Sequence, residues 1–595
     1  MSFARTWRTV RHLTAEQWFF RAICRGKRVV MNAMPGPTRR RIERAAEKLP
    51  LPDPASARLL TVAKAVQMLQ QAVHDNDFTD PARGRFELLN QRFDFGSAED
   101  ISWRGEFNEG NNPLRRMNLA YMGYLVPLMA RGEDGALPLA RTMIAGLEEQ
   151  NPWSQRGVFR DVWNAYTASH RSINLLSGLA LYRQAGGTPN AAAEEMILQH
   201  VRLCVAFIRA NLERDLQYNH LLKNFVALAA YCAGLEKPPA QFALLPRAVS
   251  KSLRQNVLEE GGHAERCPMY HALGMLDLDI LAASGAFEGD AVDQIAKTRE
   301  KMTRALAIMS HPDGEIALFN DSWIGEAPRA DTLCDPAGAG DSSLLPETGY
   351  SKIAKDGDAV ILDCGPCGPD DNPGHAHADF LSIEASVGTR RLLVDPGVPT
   401  YTAGAARDLS RSAASHNGPH FAGAEPIEFW KSFRVGRRGY GTPLTDESLA
   451  DLAPLWLSGR QSGYRHIGGE VRRWAGLWPG RAMLICDRWD GASEHQAVTR
   501  FLVPADWSMD QSGRAISFSR DGVTVRAEPF LGRLRDAGPA HFWPRFGVET
   551  PAHEIVFEPG EAGSGRGLAV WFHWGAIDAP DAGRIAALFA ALGDC

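Results

Sequence analysis

Between Gly374 and Gly397 the chain reads GHAHADFLSIEASVGTRRLLVDPG, which sets His375 and His377 two residues apart, then Asp379, then Asp395 after a second apolar run. Imidazole titrates nearest neutral pH and is the commonest metal ligand, so this spacing suits either proton transfer or metal binding. Residues two apart on a strand share a face, and on a strand His375 and His377 would sit over one site. A hairpin would return Asp395 to the side of His377, and His416 in RSAASHNGPHF offers a third ligand. Polar histidines on a sheet surface fit the same pattern. A hydrolase of the metallo-β-lactamase kind would want a further histidine after the aspartate, where this chain has Phe380.

Three other clusters carry chemistry. In EEGGHAERCPMYHALGMLDLDIL, Pro268 suits a first helical turn and puts Tyr270 and His271 near the helix start. There a tyrosine beside Arg266 is able to exchange protons, or else is a core tyrosine bonded through its hydroxyl. In YNHLLKN, Asn219 sits where an N-cap would, which is one sufficient explanation; the other is an amide and imidazole pair, Asn219 with His220, offered to a carboxylate. In WNAYTASHRSIN, Trp163, Tyr166, Arg171 and Asn174 suit stacking on a sugar and pairing with its acid group, or interhelical packing. Cys364 and Cys367 form a lone CxxC with no second pair to complete a zinc site.

The elements that must position these groups change character along the chain. From 51 to 325 apolar residues recur at helical spacing, as in LLTVAKAVQMLQQAV and LLKNFVALAAYCAGL, with short breaks of the kind that join helical hairpins. From 349 the period becomes two: Leu381, Ile383, Ala385 and Val387 alternate with Ser382, Glu384 and Ser386, as a strand with one buried face requires. AVILDCG, RLLVDPG, AMLICDRW, LAVWFHW and AISFSRDGVTVRA, with a turn at Asp521-Gly522, read as further strands. Helices followed by strands predict separate domains: an extension over 1–50, a helical domain over 51–325, a linker over 326–348 and an antiparallel β domain over 349–595.

At 595 residues the chain exceeds one hydrophobic core, and its 45% hydrophobic and 23% charged composition is that of a globular protein. A net charge of -5 argues against a general nucleic-acid binder but leaves room for a local cationic groove. Nine scattered cysteines suit free thiols in a reducing compartment. The basic N-terminus lacks a continuous apolar signal region, and no run is long enough for a membrane span, so a cytoplasmic location is expected, with the periplasm open to a mature chain.

Taken in order, FELLNQRFDFG, NNPLRRMNLAYMGYL, WNAYTASHRSIN, NHLLKN, GGHAERCPMYH, LPETGYSKIAKDGDAVILDCGPCGP, GHAHADFLSIE, LLVDPG and RSAASHN resemble the heparinase II/III-like polysaccharide lyase family over most of the chain. The resemblance implies a multidomain α+β fold, an incomplete (α/α) toroid followed by a C-terminal antiparallel β-sandwich, with the site between them. It implies β-elimination on a uronate glycan, giving a 4,5-unsaturated uronate end. Asn219 and His220 would bind the uronate carboxylate, Tyr270 would be the general acid, with the base role also open to it, and His375 the second proton-transfer group. Trp163, Tyr166, Arg171, Arg266 and His271 would contact substrate. His377, Asp395 and His416 would hold a structural zinc, although RSAASHNGPHF departs from the family wording and offers His420 as a substitute for His416. The expected partner is an acidic polysaccharide or oligosaccharide, with no nucleic acid and no membrane span, and a homodimer is an open arrangement. The rival is a non-catalytic glycan-binding or assembly factor in capsule or exopolysaccharide production. The lyase scheme requires Tyr270 and His375 to face each other across a sugar-sized gap.

Overall fold

The change of period marks a real division. A computed structural model describes residues 3–74, 76–105, 113–450, 452–562 and 565–595; the opening Asn111-Asn112 of NNPLRRMNLAYMGYL lies outside the described residues. Helices run from Ala57–His74 to Asp290–Ile308. Ala165–Gln184 packs against Ala57–His74, Ala191–Ala210 and Tyr218–Ala233. It is buried on nearly every side, which is why an aromatic and arginine face in WNAYTASHRSIN need not face solvent or ligand. Asn164 caps it, accepting from the Thr167 N–H at 2.7 Å. The helices form an incomplete (α/α) toroid around one apolar core.

The helical half also contains a short hairpin, Arg85–Leu88 with Gln91–Asp94, within FELLNQRFDFG. Its two turn residues, Leu89 and Asn90, both have positive φ (50° and 61°), the conformation a two-residue hairpin turn needs. Asn90 donates to the Phe546 carbonyl at 3.0 Å, so the hairpin tip is tied to the β domain.

The β domain begins earlier than the change in pattern suggests. Ser342–Leu345, inside the expected linker, pairs with Tyr350–Lys355 and opens a five-stranded antiparallel meander that ends at Arg390–Leu393. A nine-stranded and a four-stranded antiparallel sheet complete the sandwich, and Val360, Ile383, Val471, Ile485, Phe501 and Phe572 share one core between them. The hairpin at Asp521-Gly522 is present, with φ 47° and 78°.

Two strand expectations are corrected. GHAHAD is a loop that enters the strand Ile383–Val387, not a strand itself. That strand is buried on both faces, because the helical half covers the polar one: His311 bonds Glu384 at 2.6 Å and Ser386 at 2.8 Å. The domains therefore meet through paired polar groups. Further links are Arg391 to Asp313 at 2.7 Å, Tyr218 to Asp371 at 2.6 Å, and Arg266 to the Glu347 and Thr348 carbonyls at 3.1 and 3.2 Å.

Among the described residues no helix is long and apolar enough to cross a membrane. All nine cysteines are free, Cys364 and Cys367 included.

Candidate active site

A cavity of about 600 Å³ opens between the two domains. Its walls include Asn219, His220, Tyr166 and Tyr270 from helices, and His375, Tyr401 and Phe433 from the β half. Helix Pro268–Ala283 starts at Pro268, and Tyr270 projects from its first turn. The helix start is fixed by Ser322, whose hydroxyl accepts the Met269 N–H at 3.2 Å.

The residue before Ser322 organises the other wall. Asp321 is fully buried and takes two bonds from Arg407, also fully buried, the longer at 2.8 Å. Its oxygens also meet His375 Nδ1 at 3.0 Å and His377 Nε2 at 2.9 Å. Burial alone would raise the carboxyl pKa, but Arg407 and the two histidines hold it well below the ordinary carboxylate range. Asn320 completes the tripeptide: its side chain accepts the His377 N–H at 3.0 Å and its own N–H bonds Asp379 at 2.7 Å. The two histidines of HxH thus converge without a strand, because Asn320-Asp321 clamps their loop.

Tyr270 and His375 stack side by side, ring centroids 4.3 Å apart and planes at 41°. No sugar fits between rings at that distance, so the expected gap is absent; the cavity lies beside the pair instead. Burial lifts the Tyr270 phenol well above its ordinary pKa of 10, keeping it protonated. Tyr401 lies 3.5 Å away, hydroxyl to hydroxyl. Glu265, whose carboxyl is pushed up by burial, sits 3.8 Å from His375 Nε2.

On the opposite wall Asn219 belongs to the first turn of helix Tyr218–Ala233 and is not its N-cap; Gln217 holds that place without a side-chain cap. Gln217 and Tyr218 both have positive φ, 60° and 45°, conformations that cost roughly 1–3 kcal/mol each outside glycine. His220 bonds Glu213 at 3.3 Å and packs on Tyr166 at 4.4 Å between centroids. Burial pulls the His220 pKa down, but the Glu213, Glu265 and Asp215 carboxylates pull harder, and it rises above its ordinary 6.5.

Four expected substrate contacts lie elsewhere. Trp163 is core, packed on Trp153 and Phe207. Arg171 is fully buried against Trp163 and donates to the Ala120 and Val162 carbonyls, both at 3.1 Å. Arg266 is spent on the domain junction described above, and buried His271 bonds the Met302 carbonyl at 2.8 Å. Each of the four side chains packs on or bonds to the protein interior, away from the cavity. Tyr166, by contrast, does line the cavity.

The expected metal ligands form two hydrogen-bonded groups. Asp395 meets His416 Nδ1 at 2.8 Å, while His377 turns to Asp321. His377 Nδ1, His416 Nε2 and Asp395 Oδ1 are buried without a partner, and burial pushes the two imidazoles down to about 3 and about 4, the neutral form that ligates metal. Among the described residues, however, no three such groups converge as a ligand set. His420 is buried too, bonded to the Gly418 carbonyl at 3.2 Å.

Asp321, Glu265 and Tyr401 escaped the sequence reading. Asp321 lies in LFNDSW at the end of the helical half, where nothing in the spacing links it to the HxH histidines 54 and 56 residues on; an isolated Asn-Asp-Ser among apolar residues was the available signal.

Residues 337–561 match the family model described as Heparinase II/III-like, C-terminal. Over 411 residues the chain is 26% identical to the FtsZ-localized protein C of Caulobacter vibrioides, spanning 66% of this chain and 68% of that one. In fold it is similar to a heparinase III crystal structure, with a TM-score of 0.65, 14% identity and 90% of each chain covered. It is likewise similar to the heparan sulfate lyase HepC from Pedobacter heparinus, with a TM-score of 0.53, 17% identity and 87% and 84% covered.

Replacing Asp321 by Ala should cost roughly 3–5 kcal/mol in urea unfolding, since it strands Arg407 in a dry interior. A loss below about 1 kcal/mol would show that the cluster does not hold the two walls together.

Proposed function

From the heparinase II/III-like C-terminal match over residues 337–561 and the heparinase III-like fold, we propose that the chain cleaves a uronate-containing glycan by β-elimination, leaving a 4,5-unsaturated uronate end. The observation that carries this reading is the contact of Tyr270 with His375 on the wall of a cavity that also holds Asn219 and His220.

The proton on C5 of a uronate is hardly acidic while the neighbouring carboxylate keeps its full charge. Asn219 and protonated His220 donate hydrogen bonds to that carboxylate and stabilise the enolate where its charge develops. His375 donates from Nδ1 to Asp321, which leaves Nε2 as the acceptor that takes the C5 proton. Tyr270, kept protonated by burial, gives its proton to the departing glycosidic oxygen. The C4–O bond breaks as the C4–C5 double bond forms, and the proton on His375 returns to the phenolate of Tyr270. An acid and a base in contact act on one face of the ring, so the elimination is syn. Tyr166 and Phe433 supply apolar surface for the sugar rings.

Zinc on His377, Asp395 and His416 is proposed as a brace for the β wall. Their three unpartnered atoms support it, and no step above passes through a metal. Metal analysis of the purified protein should find about one zinc that His377→Ala loses together with thermal stability. Metal-free wild-type protein would leave the cluster as a hydrogen-bonded brace alone.

Incubation with alginate, heparan sulfate, chondroitin, hyaluronan and the host's own polysaccharide should raise ultraviolet absorbance on one of them. Tyr270→Phe should lose about 10²–10⁴-fold in turnover with binding nearly intact. Absence of the chromophore on every polymer, with binding retained, would replace the lyase by a glycan-binding protein. His220 is charged below its raised pKa and neutral above it. KM should therefore rise as pH climbs past 6.5 and through that raised value, and this rise should vanish in His220→Gln. A KM equally flat in the wild type would remove His220 from carboxylate binding.

A further inference from the structure

The helix Ala15–Ala33 turns a stripe of apolar residues outward from the protein. Ala15, Trp18, Phe19, Ala22, Gly26, Val29, Val30 and Ala33 recur at spacings of three and four, so they form one stripe along the helix. Every one of them is exposed, Trp18 by 52%, Phe19 by 61% and Val29 by 67%. The face towards the protein is mixed: Gln17 and Met31 are buried, Phe20, Ile23 and Cys24 are half-buried, Arg21 lines the cavity, and Arg28 reaches back to pair with Asp215 at 3.5 Å. The preceding helix Phe3–Val10 adds Phe3 and Trp7, 85% and 58% exposed. Seven of the fifteen large apolar side chains exposed by the described residues lie between Phe3 and Met34, a concentration that marks an interaction surface.

These helices are held in place before anything binds. Thr14 and Gln17 form a reciprocal capping box at the start of the second helix. Arg8 bonds Glu428 at 2.7 Å, Trp430 donates to Thr9 at 3.0 Å, and Lys27 bonds the Ala210 carbonyl at 2.9 Å. The pair is thereby fastened to both domains.

Charge selects the occupant. Residues 1–48 carry twelve Lys and Arg against three Glu, a net of +9, so the remaining chain carries -14 of the total -5. Arg11, Arg25, Arg40, Arg41 and Arg44 are exposed. A second copy would bring +9 against +9. An anionic bilayer attracts the helices and repels the rest of the chain, which fixes one orientation. We propose that the outward face of Phe3–Val10 and Ala15–Ala33 docks in the plane of an anionic phospholipid bilayer, with Trp7, Trp18 and Phe19 entering the headgroup region. Arg21, on the inner side of the same helix, lines the cavity, so the docked helix lies between that part of the cavity wall and the bilayer. The inference does not depend on the lyase chemistry.

The test sediments the full-length protein with vesicles of phosphatidylcholine, with and without phosphatidylglycerol. Wild type should co-sediment with the anionic vesicles, weakly or not at all with neutral ones, and less as salt is added. The double variant Trp18→Glu, Phe19→Glu should bind at least tenfold more weakly with an unchanged melting temperature, since both side chains are exposed. Vesicles containing brominated lipid should quench tryptophan fluorescence of the wild type more than that of Trp18→Phe. Wild type remaining in the supernatant, or equal binding by the double variant, would overturn the proposal. So would a stable dimer in light scattering that the double variant dissolves, because the face would then belong to a second copy.

Discussion

One buried ion pair, Asp321 with Arg407, underlies both walls of the cleft. Neither group is exposed, so the two meet out of reach of solvent. Such a pair adds little net stability, because desolvating two ions offsets most of their attraction. What it confers is position: Asp321 comes from the end of the helical half, Arg407 from the β domain, and the shared carboxylate fixes His375 and His377. Its neighbours on the chain extend the effect, Ser322 setting the start of the helix that bears Tyr270 and Asn320 tying down the histidine loop. Three consecutive side chains thus place Tyr270 and His375 in contact.

The same logic explains why the domain junction is polar. Glu384, Asp313, Asp371 and the carbonyls of Glu347 and Thr348 each meet a donor from across the boundary, and these bonds are directional where apolar contact is not. Backbone strain gathers at the same boundary. Gln217, Tyr218, Arg266 and Asn320 all hold positive φ without being glycine, next to the residues that line the cavity. The packing around them supplies the free energy that keeps them there.

Much of this was legible in the sequence, and for physical reasons. Periodicity reports which face of an element is buried, so the switch near 349 marked the domains; only the first β strand, too short to show a period, was lost to the linker. Pro268 marked a helix start and hence the projection of Tyr270. Side-chain destination was less legible. Trp163 and Arg171 have the residue types of a sugar platform, but helix Ala165–Gln184 packs against other helices, and residue spacing cannot tell a ligand from a neighbouring helix. Asp321 pairs with residues more than fifty positions away, and a single sequence carries no record of such a contact. The outward apolar stripe of Ala15–Ala33 has the periodicity of an ordinary packed helix; only the folded chain reveals that it faces away.

Elimination and hydrolysis differ in where the oxygen of the new end comes from. Digestion of a susceptible uronate polymer in water enriched with heavy oxygen, followed by mass spectrometry of the fragments, follows that atom. Elimination gives fragments lighter than hydrolytic products by one water and free of newly incorporated label. Saturated fragments carrying the heavy oxygen would contradict it, since cleavage would then have proceeded by attack of water.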